Sequence, residues 1–142
     1  MKFEQYKLVK QHALAALQAA GTALPEADSL NPVLLAYIGD VVFSLYVRLR
    51  FLAASSHIRV IHDLSSKAVS AVYQAKALEQ LADTLTEEEL VIVKRGRNTK
   101  STVPKSASMH EYRMSTAFEA LVGWLFLRGE DERLEEFLDK SF

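Results

Sequence analysis

Apolar residues recur at three- and four-residue spacings along nearly the whole chain, and no segment shows the strict alternation of a β-strand. The first helical segment covers residues 3–20 and is followed by Gly21, a residue type that favours the end of a helix. A connector leads to Asn31 and Pro32, a capping residue and a proline that together favour a first helical turn. We expect this second, mostly apolar helix to end near Ala54.

Four further segments with helical periodicity follow. Their expected ranges are, in chain order, 59–82 (one helix or a kinked pair), 86–95, 111–128 and 131 to the last residues. Thr86 and Glu89 have the spacing of a capping box, in which each side chain hydrogen-bonds the backbone N–H of the other residue. Residues 96–110 predict an irregular segment. The whole pattern predicts an all-α fold of six or seven helices in a single domain.

The composition is that of one folded domain, with 142 residues of which 49% are hydrophobic. The 17 basic and 18 acidic residues exclude a uniformly basic protein, and the absence of cysteine excludes disulfides and thiolate metal sites. The N-terminus lacks the apolar stretch of a signal peptide, and the longest apolar run, 33–47, is shorter than the roughly 20 residues that span a bilayer. We therefore expect a cytoplasmic protein without a membrane segment.

Two acidic residues occupy unusual positions. Asp40 is the only charged residue in the apolar run 33–47, and Glu119 is the only charged residue in 114–127. A helix that is apolar on all sides is normally buried. An ionised carboxylate inside a protein costs several kcal/mol unless it is compensated. Each of these two central helices is therefore expected to carry one acid that needs compensation.

Three arrangements can compensate such acids, and the residues alone leave all three open. The acids can be protonated and inert, each can pair with a basic residue of another helix, or both can share a divalent cation. The candidate basic partners are Arg48, Lys67 and Arg113. Mg²⁺ suits the third arrangement because it is usually held by one or two carboxylates together with waters and substrate phosphate. Gly39 also predicts the close approach of another backbone or of a ligand, since glycine within a helix is unfavourable by roughly 0.5–1 kcal/mol.

A basic segment precedes the helix that carries Glu119. Its cationic residues, opposed only by Glu111, are Lys94, Arg95, Arg97, Lys100, Lys105 and Arg113. Such side chains attract the phosphate backbone of a polyanion without reading its base sequence; the alternative is a solvated polar loop. The His62–Asp63 dipeptide also occurs in metal phosphohydrolases, but its neighbours here are charged and we expect it to lie on the surface.

Three segments together resemble the ribonuclease III family. AYIGDVVF at 36–43 is similar to the family's signature helix, and STAFEALVGWLFL at 115–127 is similar to its second catalytic helix. KRGRN at 94–98 resembles the smaller branch of the family, Mini-ribonuclease III. The likeness covers about residues 31–138, in the family's order.

The resemblance implies a homodimeric endoribonuclease that cleaves double-stranded RNA with Mg²⁺ and leaves 5′-phosphate and 3′-hydroxyl ends. In the smaller branch it implies maturation of the precursor of the large-subunit (23S) ribosomal RNA, and it leaves open a ribosomal protein that presents the substrate. Asp40 matches the catalytic aspartate and Glu119 the metal-binding glutamate, so both are candidate catalytic residues and Mg²⁺ ligands. The family's further acids, four residues before the aspartate and three before the glutamate, are replaced here by Ala36 and Thr116.

The resemblance also divides the chain into an N-terminal helical extension at 1–24 and a ribonuclease III-like catalytic domain at 25–142. Thirteen residues follow Gly129, too few for the double-stranded-RNA-binding domain of larger relatives, so we expect the basic residues of the catalytic domain to bind RNA. Two alternatives remain open. One is a catalytically degenerate double-stranded-RNA-binding module or scaffold of the same fold, and the other is a helical adaptor whose two acids are core ion pairs.

Overall fold

The computed structural model describes residues 3–99 and 108–142. Within these two ranges the chain forms seven α-helices and no strand, which confirms the expected all-α class. The helices are α1 (Phe3–Ala19), α2 (Pro32–Phe51), α3 (Ile58–Ala68), α4 (Ala71–Leu81), α5 (Glu87–Arg97), α6 (Met109–Leu127) and α7 (Asp131–Lys140). Two 3₁₀ turns, Ala27–Ser29 and Ala82–Thr84, precede α2 and α5.

Helix α6 is the central element, because α2, α4 and α5 all pack against it. Every residue of α6 from Ala120 to Leu125 is buried. The fully buried ring of Phe118 lies 4.8 Å from that of Phe43 on α2 and 5.3 Å from that of Phe137 on α7, measured between ring centres. The core therefore surrounds the helix that carries Glu119.

Capping side chains fix the starts of α2 and α5 where the sequence predicts them. The Asn31 side chain accepts a hydrogen bond from the Val33 backbone N–H at 2.9 Å, and Thr86 and Glu89 form the expected capping box. Ser70 caps α4, so the segment 59–82 is two helices rather than one. Gly21, at φ +76°, ends α1 as predicted.

One helix end was predicted wrongly. Helix α5 continues beyond the expected end at Arg95, through Gly96, to Arg97. A Cβ atom at Gly96 would lie 2.8 Å from the Cα of Ala117 on α6. This glycine therefore permits the close packing of α5 on α6 instead of ending the helix.

The expected burial of α2 on all sides is also wrong. One face packs into the core through Leu35, Val42 and Phe43, but the other face is exposed in this chain. The exposed apolar residues of α2 are Val33, Leu34, Tyr37, Val41 and Leu45. In the described part of the chain, α2 is the one helix long and apolar enough to cross a membrane by length and composition, a test that core helices also pass.

Helix α1 is attached to the remainder of the fold by a small set of interactions. Lys10 donates hydrogen bonds to the Phe126 carbonyl at 2.9 Å and to Asp131 Oδ1 at 2.7 Å. Its Nζ also lies 4.4 Å from the centre of the Phe126 ring, and the buried Tyr6 ring packs edge-on against that ring. Leu8 and Val9 remain more than half exposed. The helix is therefore anchored by one side near the start of α7.

Candidate active site

Two glycines bring the backbones of α2 and α6 into direct contact. A Cβ atom at Gly39 would lie 1.7 Å from the backbone oxygen of Glu119, and one at Gly123 would lie 2.0 Å from the backbone oxygen of Leu35. Of the two explanations for Gly39, the close approach of another backbone is therefore correct. This contact brings Asp40, the residue after Gly39, next to Glu119.

The carboxyl groups of Asp40 and Glu119 interact directly across this crossing. Burial raises the pKa of Glu119, the negative charge of Asp40 raises it further, and a hydrogen bond between the two groups adds to the same effect, giving a value of about 8. The side chain of Gln74 opposes this shift. Glu119 is half-buried whereas Asp40 is exposed, so the pair is open to solvent on the Asp40 side.

No basic residue compensates this pair in residues 3–99 and 108–142. Neither carboxyl group has a Lys, Arg or His within ion-pair distance there, which removes the expected partners Arg48, Lys67 and Arg113. Glu89 provides the contrast. Burial alone favours its protonated form, but hydrogen bonds from Arg133 and from the Thr86 backbone outweigh that and lower the pKa of the Glu89 carboxyl. The described residues thus neutralise one buried acid with arginine and place no basic side chain at ion-pair distance from the Asp40–Glu119 pair.

The donor atoms of this pair suit Mg²⁺. Two carboxylates beside an open face match an ion that keeps several waters and is completed by substrate phosphate. Among the described residues, no group of three or more His, Asp or Glu forms a fuller metal cage. Ala36 is buried, and the Thr116 hydroxyl donates to the Tyr112 carbonyl at 3.0 Å within α6, so neither position supplies a further carboxylate.

The candidate RNA-contacting residues are distributed over two helices. Lys94, Arg95 and Arg97 are exposed at the end of α5, and Arg113 is exposed on α6, on the N-terminal side of Glu119. The Arg95 guanidinium donates a hydrogen bond to the Leu30 carbonyl at 3.1 Å. Lys100 and Lys105 lie outside the described residues.

Two features of the site and its surroundings escaped sequence reasoning. Gln74 on α4 is 1% exposed and lies beside Glu119, yet an uncharged amide next to an alanine gives no clear signal in a sequence. Ser108 and Glu111 form a second capping box at the start of α6. The His62–Asp63 dipeptide is exposed on α3, as expected.

The raised pKa of Glu119 predicts a pH-dependent stability. Between about pH 4.5 and pH 8 the unfolded chain has lost this proton while the folded chain keeps it, so stability falls as pH rises through that window. In the presence of chelator, Glu119→Gln is expected to be more stable than the wild type at pH 8.5, by on the order of 2 kcal/mol after solvent screening. Urea unfolding at pH 4 and pH 8.5 measures this, and an equal difference at both pH values would attribute the effect to packing.

Comparisons with known proteins identify the family of the chain. Residues 34–130 match the family model described as Ribonuclease III domain. Relatives named Mini-ribonuclease 3 include that of Thermoanaerobacter sp., 46% identical over 115 residues that cover 80% of this chain and 81% of the relative. That of Staphylococcus aureus is also 46% identical over 115 residues, covering 78% and 86%. A crystal structure of a Fusobacterium nucleatum protein matches with a TM-score of 0.74 at 30% identity, over 78% of this chain and 90% of that chain. The chain therefore belongs to the ribonuclease III family of endoribonucleases.

Proposed function

We propose that this protein cleaves double-stranded RNA, with Asp40 and Glu119 holding Mg²⁺ at the scissile phosphate. The observation that carries the proposal is a pair of adjacent carboxyl groups, open to solvent on one side, with no basic partner in the described part of the chain. Such a pair is unfavourable when both groups are ionised, because each negative charge raises the cost of the other. A divalent cation removes that cost.

The two acids have different tasks in this proposal. Mg²⁺, when bound, polarises the phosphoryl group and lowers the pKa of a bound water. Glu119 has to release its proton before it serves as a metal ligand. Its half-buried position restricts the motion of its side chain. Asp40 is exposed and therefore accessible to the phosphate backbone of a duplex. The expected products carry 5′-phosphate and 3′-hydroxyl ends.

Incubation with duplex RNA, with Mg²⁺ or with chelator, tests this function. We expect cleavage only with Mg²⁺, and the ends can be identified by ligation and by phosphatase treatment. The alternative is a catalytically degenerate module of the same fold that binds double-stranded RNA, and Ala36 and Thr116 are the residues that favour it. Binding without any cleavage in Mg²⁺ would support that alternative.

We further propose that the protein acts as a homodimer through α2. Val33, Tyr37, Val41 and Leu45 repeat every four residues and are all exposed, with Tyr37 at 71% and Val41 at 61%. A contiguous apolar stripe of this kind marks a protein interface, and a twofold dimer buries the same patch of both copies. Asp40 lies between Tyr37 and Val41 in the sequence, so this interface would bring the active sites of both copies close together. A twofold dimer then presents one site to each of the two antiparallel strands of a duplex.

Val41→Lys is expected to convert the dimer into a monomer, because it introduces a charge into the centre of the apolar interface. Val91→Lys is the matched control, since Val91 is 57% exposed on α5, away from the stripe. Sedimentation velocity measures both variants at equal concentration. A wild-type protein that stays monomeric, or a Val41→Lys variant that stays dimeric, would contradict this interface.

The basic residues at the end of α5 are proposed to bind RNA phosphates. Replacing Lys94 and Arg97 together by Gln should weaken duplex binding and reduce the slope of log affinity against log salt by about 0.7–0.9 for each phosphate that is no longer neutralised. Lys140→Gln is the control, because Lys140 lies on α7 and already pairs with Glu136. Binding is measured in chelator, where no cleavage occurs. An unchanged salt slope would assign RNA binding to other residues.

We also propose a substrate, a cellular location and a division of the chain into domains. We propose the precursor of 23S ribosomal RNA as substrate in the cytoplasm, with a ribosomal protein as a candidate partner that presents it, because the motifs resemble the branch with that role. We also propose residues 1–24 as an extension of a catalytic domain at 25–142, since the family match begins at residue 34. A duplex made from the 23S precursor termini should be cleaved faster than an unrelated duplex of equal length.

A further inference from the structure

Gln74 is a polar residue that is almost completely buried in the core. It lies in the first turns of α4, where its backbone N–H donates to the Ser70 carbonyl at 3.0 Å. The residue is 1% exposed, on a helix that packs against α6. A polar side chain in such a place destabilises the fold unless its hydrogen-bonding groups are satisfied.

The side-chain amide of Gln74 has a donor group, Nε2–H, that forms no hydrogen bond of ordinary geometry to any described residue. The same side chain lies beside the Glu119 carboxyl and favours its ionised form through a hydrogen bond whose geometry is poor in this structure. A buried donor without a well-formed hydrogen bond is unfavourable, and an apolar side chain of the same shape would be more stable there. The amide is therefore suited to a state of the site that differs from the metal-free one.

We propose that Gln74 is a positioning residue whose Nε2–H group holds one oxygen of the Glu119 carboxylate, so that the other oxygen is directed at the divalent cation shared with Asp40. This inference rests on the proposed function. Carboxylates that bind metal ions are themselves hydrogen-bonded, and loss of such a partner typically weakens metal affinity or activity 10- to 100-fold. Gln74 is placed for this role because its helix, α4, is one of the three helices that pack extensively on α6 in the described chain, together with α2 and α5.

The test measures Mg²⁺ binding to the RNA-free protein through the rise of its unfolding temperature with Mg²⁺ concentration, which reports even weak affinities. Gln74→Met removes the donor and keeps an unbranched side chain of similar size. We expect its Mg²⁺ affinity to fall about 10- to 100-fold. We expect its unfolding temperature without metal to be unchanged or higher, because Nε2 has no hydrogen bond of ordinary geometry to lose in that state. Gln80→Met, at an exposed position of the same helix, should change neither quantity.

A second variant separates donation from direct coordination. Gln74→Glu has no donor in its ionised form, so it should also bind Mg²⁺ more weakly. Wild-type or higher affinity in Gln74→Glu would make residue 74 a metal ligand and overturn the positioning role. Wild-type affinity in Gln74→Met, whatever its unfolding temperature, would also overturn it.

Asp40→Asn in the same assay distinguishes failure of this inference from failure of the proposed function. If Asp40→Asn loses Mg²⁺ binding and Gln74→Met keeps it, the metal site stands and only the role of Gln74 is wrong. If Asp40→Asn binds Mg²⁺ as the wild type does, the metal site itself lies elsewhere, and both proposals fail.

Discussion

Replacing Asp40 by Asn or Glu119 by Gln is expected to slow the cleavage of duplex RNA in Mg²⁺ by at least about 1,000-fold. Each change preserves the shape of the side chain and removes an anionic oxygen from a pair that has no basic partner in the described structure. Metal-ion stabilisation of a phosphoryl-transfer transition state amounts to several kcal/mol, and about 4 kcal/mol corresponds to a factor of roughly 1,000 in rate. Single-turnover cleavage of an end-labelled duplex measures the effect.

Matched controls separate this effect from a general loss of negative charge. Asp63→Asn on α3 and Glu132→Gln on α7 remove exposed acids outside the site, and both should cleave at the wild-type rate. The Asp40 and Glu119 variants should keep their helical content, their oligomeric state and their affinity for duplex RNA. Full activity in either variant would mean that the reaction uses other residues.

Gly39→Ala is expected to destabilise the fold by more than about 4 kcal/mol, or to prevent folding. Inserting extra atoms into a packed core usually costs about 1–3 kcal/mol, because side chains move aside. Here the new Cβ atom would lie 1.7 Å from a backbone oxygen and 2.9 Å from a backbone nitrogen of α6, and neither can rotate away. The gain of about 1 kcal/mol in helix propensity is too small to compensate. Urea unfolding measures the change.

Gly21→Ala is the control for this substitution. A Cβ atom at Gly21 meets nothing within 4 Å, so its cost comes only from the backbone conformation at φ +76°. That cost is about 1 kcal/mol. Wild-type stability in Gly39→Ala would show that α2 and α6 lie farther apart in solution than in this structure. Any folded Gly39→Ala protein should also cleave RNA slowly, because the new methyl group separates Asp40 from Glu119.

The sequence was most informative where a single charged residue interrupts an apolar run. Asp40 and Glu119 stand out because they are single charges in apolar runs, and the structure brings both together. The starts of α2 and α5 were equally predictable, because Asn31 and Thr86 act through hydrogen bonds within a few residues of the chain.

Properties that depend on neighbours distant in sequence could not be predicted. Apolar periodicity is the same whether a helix face packs on its own core or remains for a partner, so the exposed stripe around Tyr37 was missed. Glycine both ends helices and allows close packing, so Gly96 was assigned the wrong role. The interaction of Gln74 with Glu119 depends on the packing of α4 against α6, so nothing in the sequence indicated it.

The contact between Gly39 and Gly123 has a consequence for protein engineering. Since main-chain atoms of the two crossing helices touch there, helix packing fixes the distance between the backbones that carry Asp40 and Glu119. Added methyl groups at the two glycines cannot rescue each other, because each would strike a different carbonyl oxygen, that of Glu119 or that of Leu35.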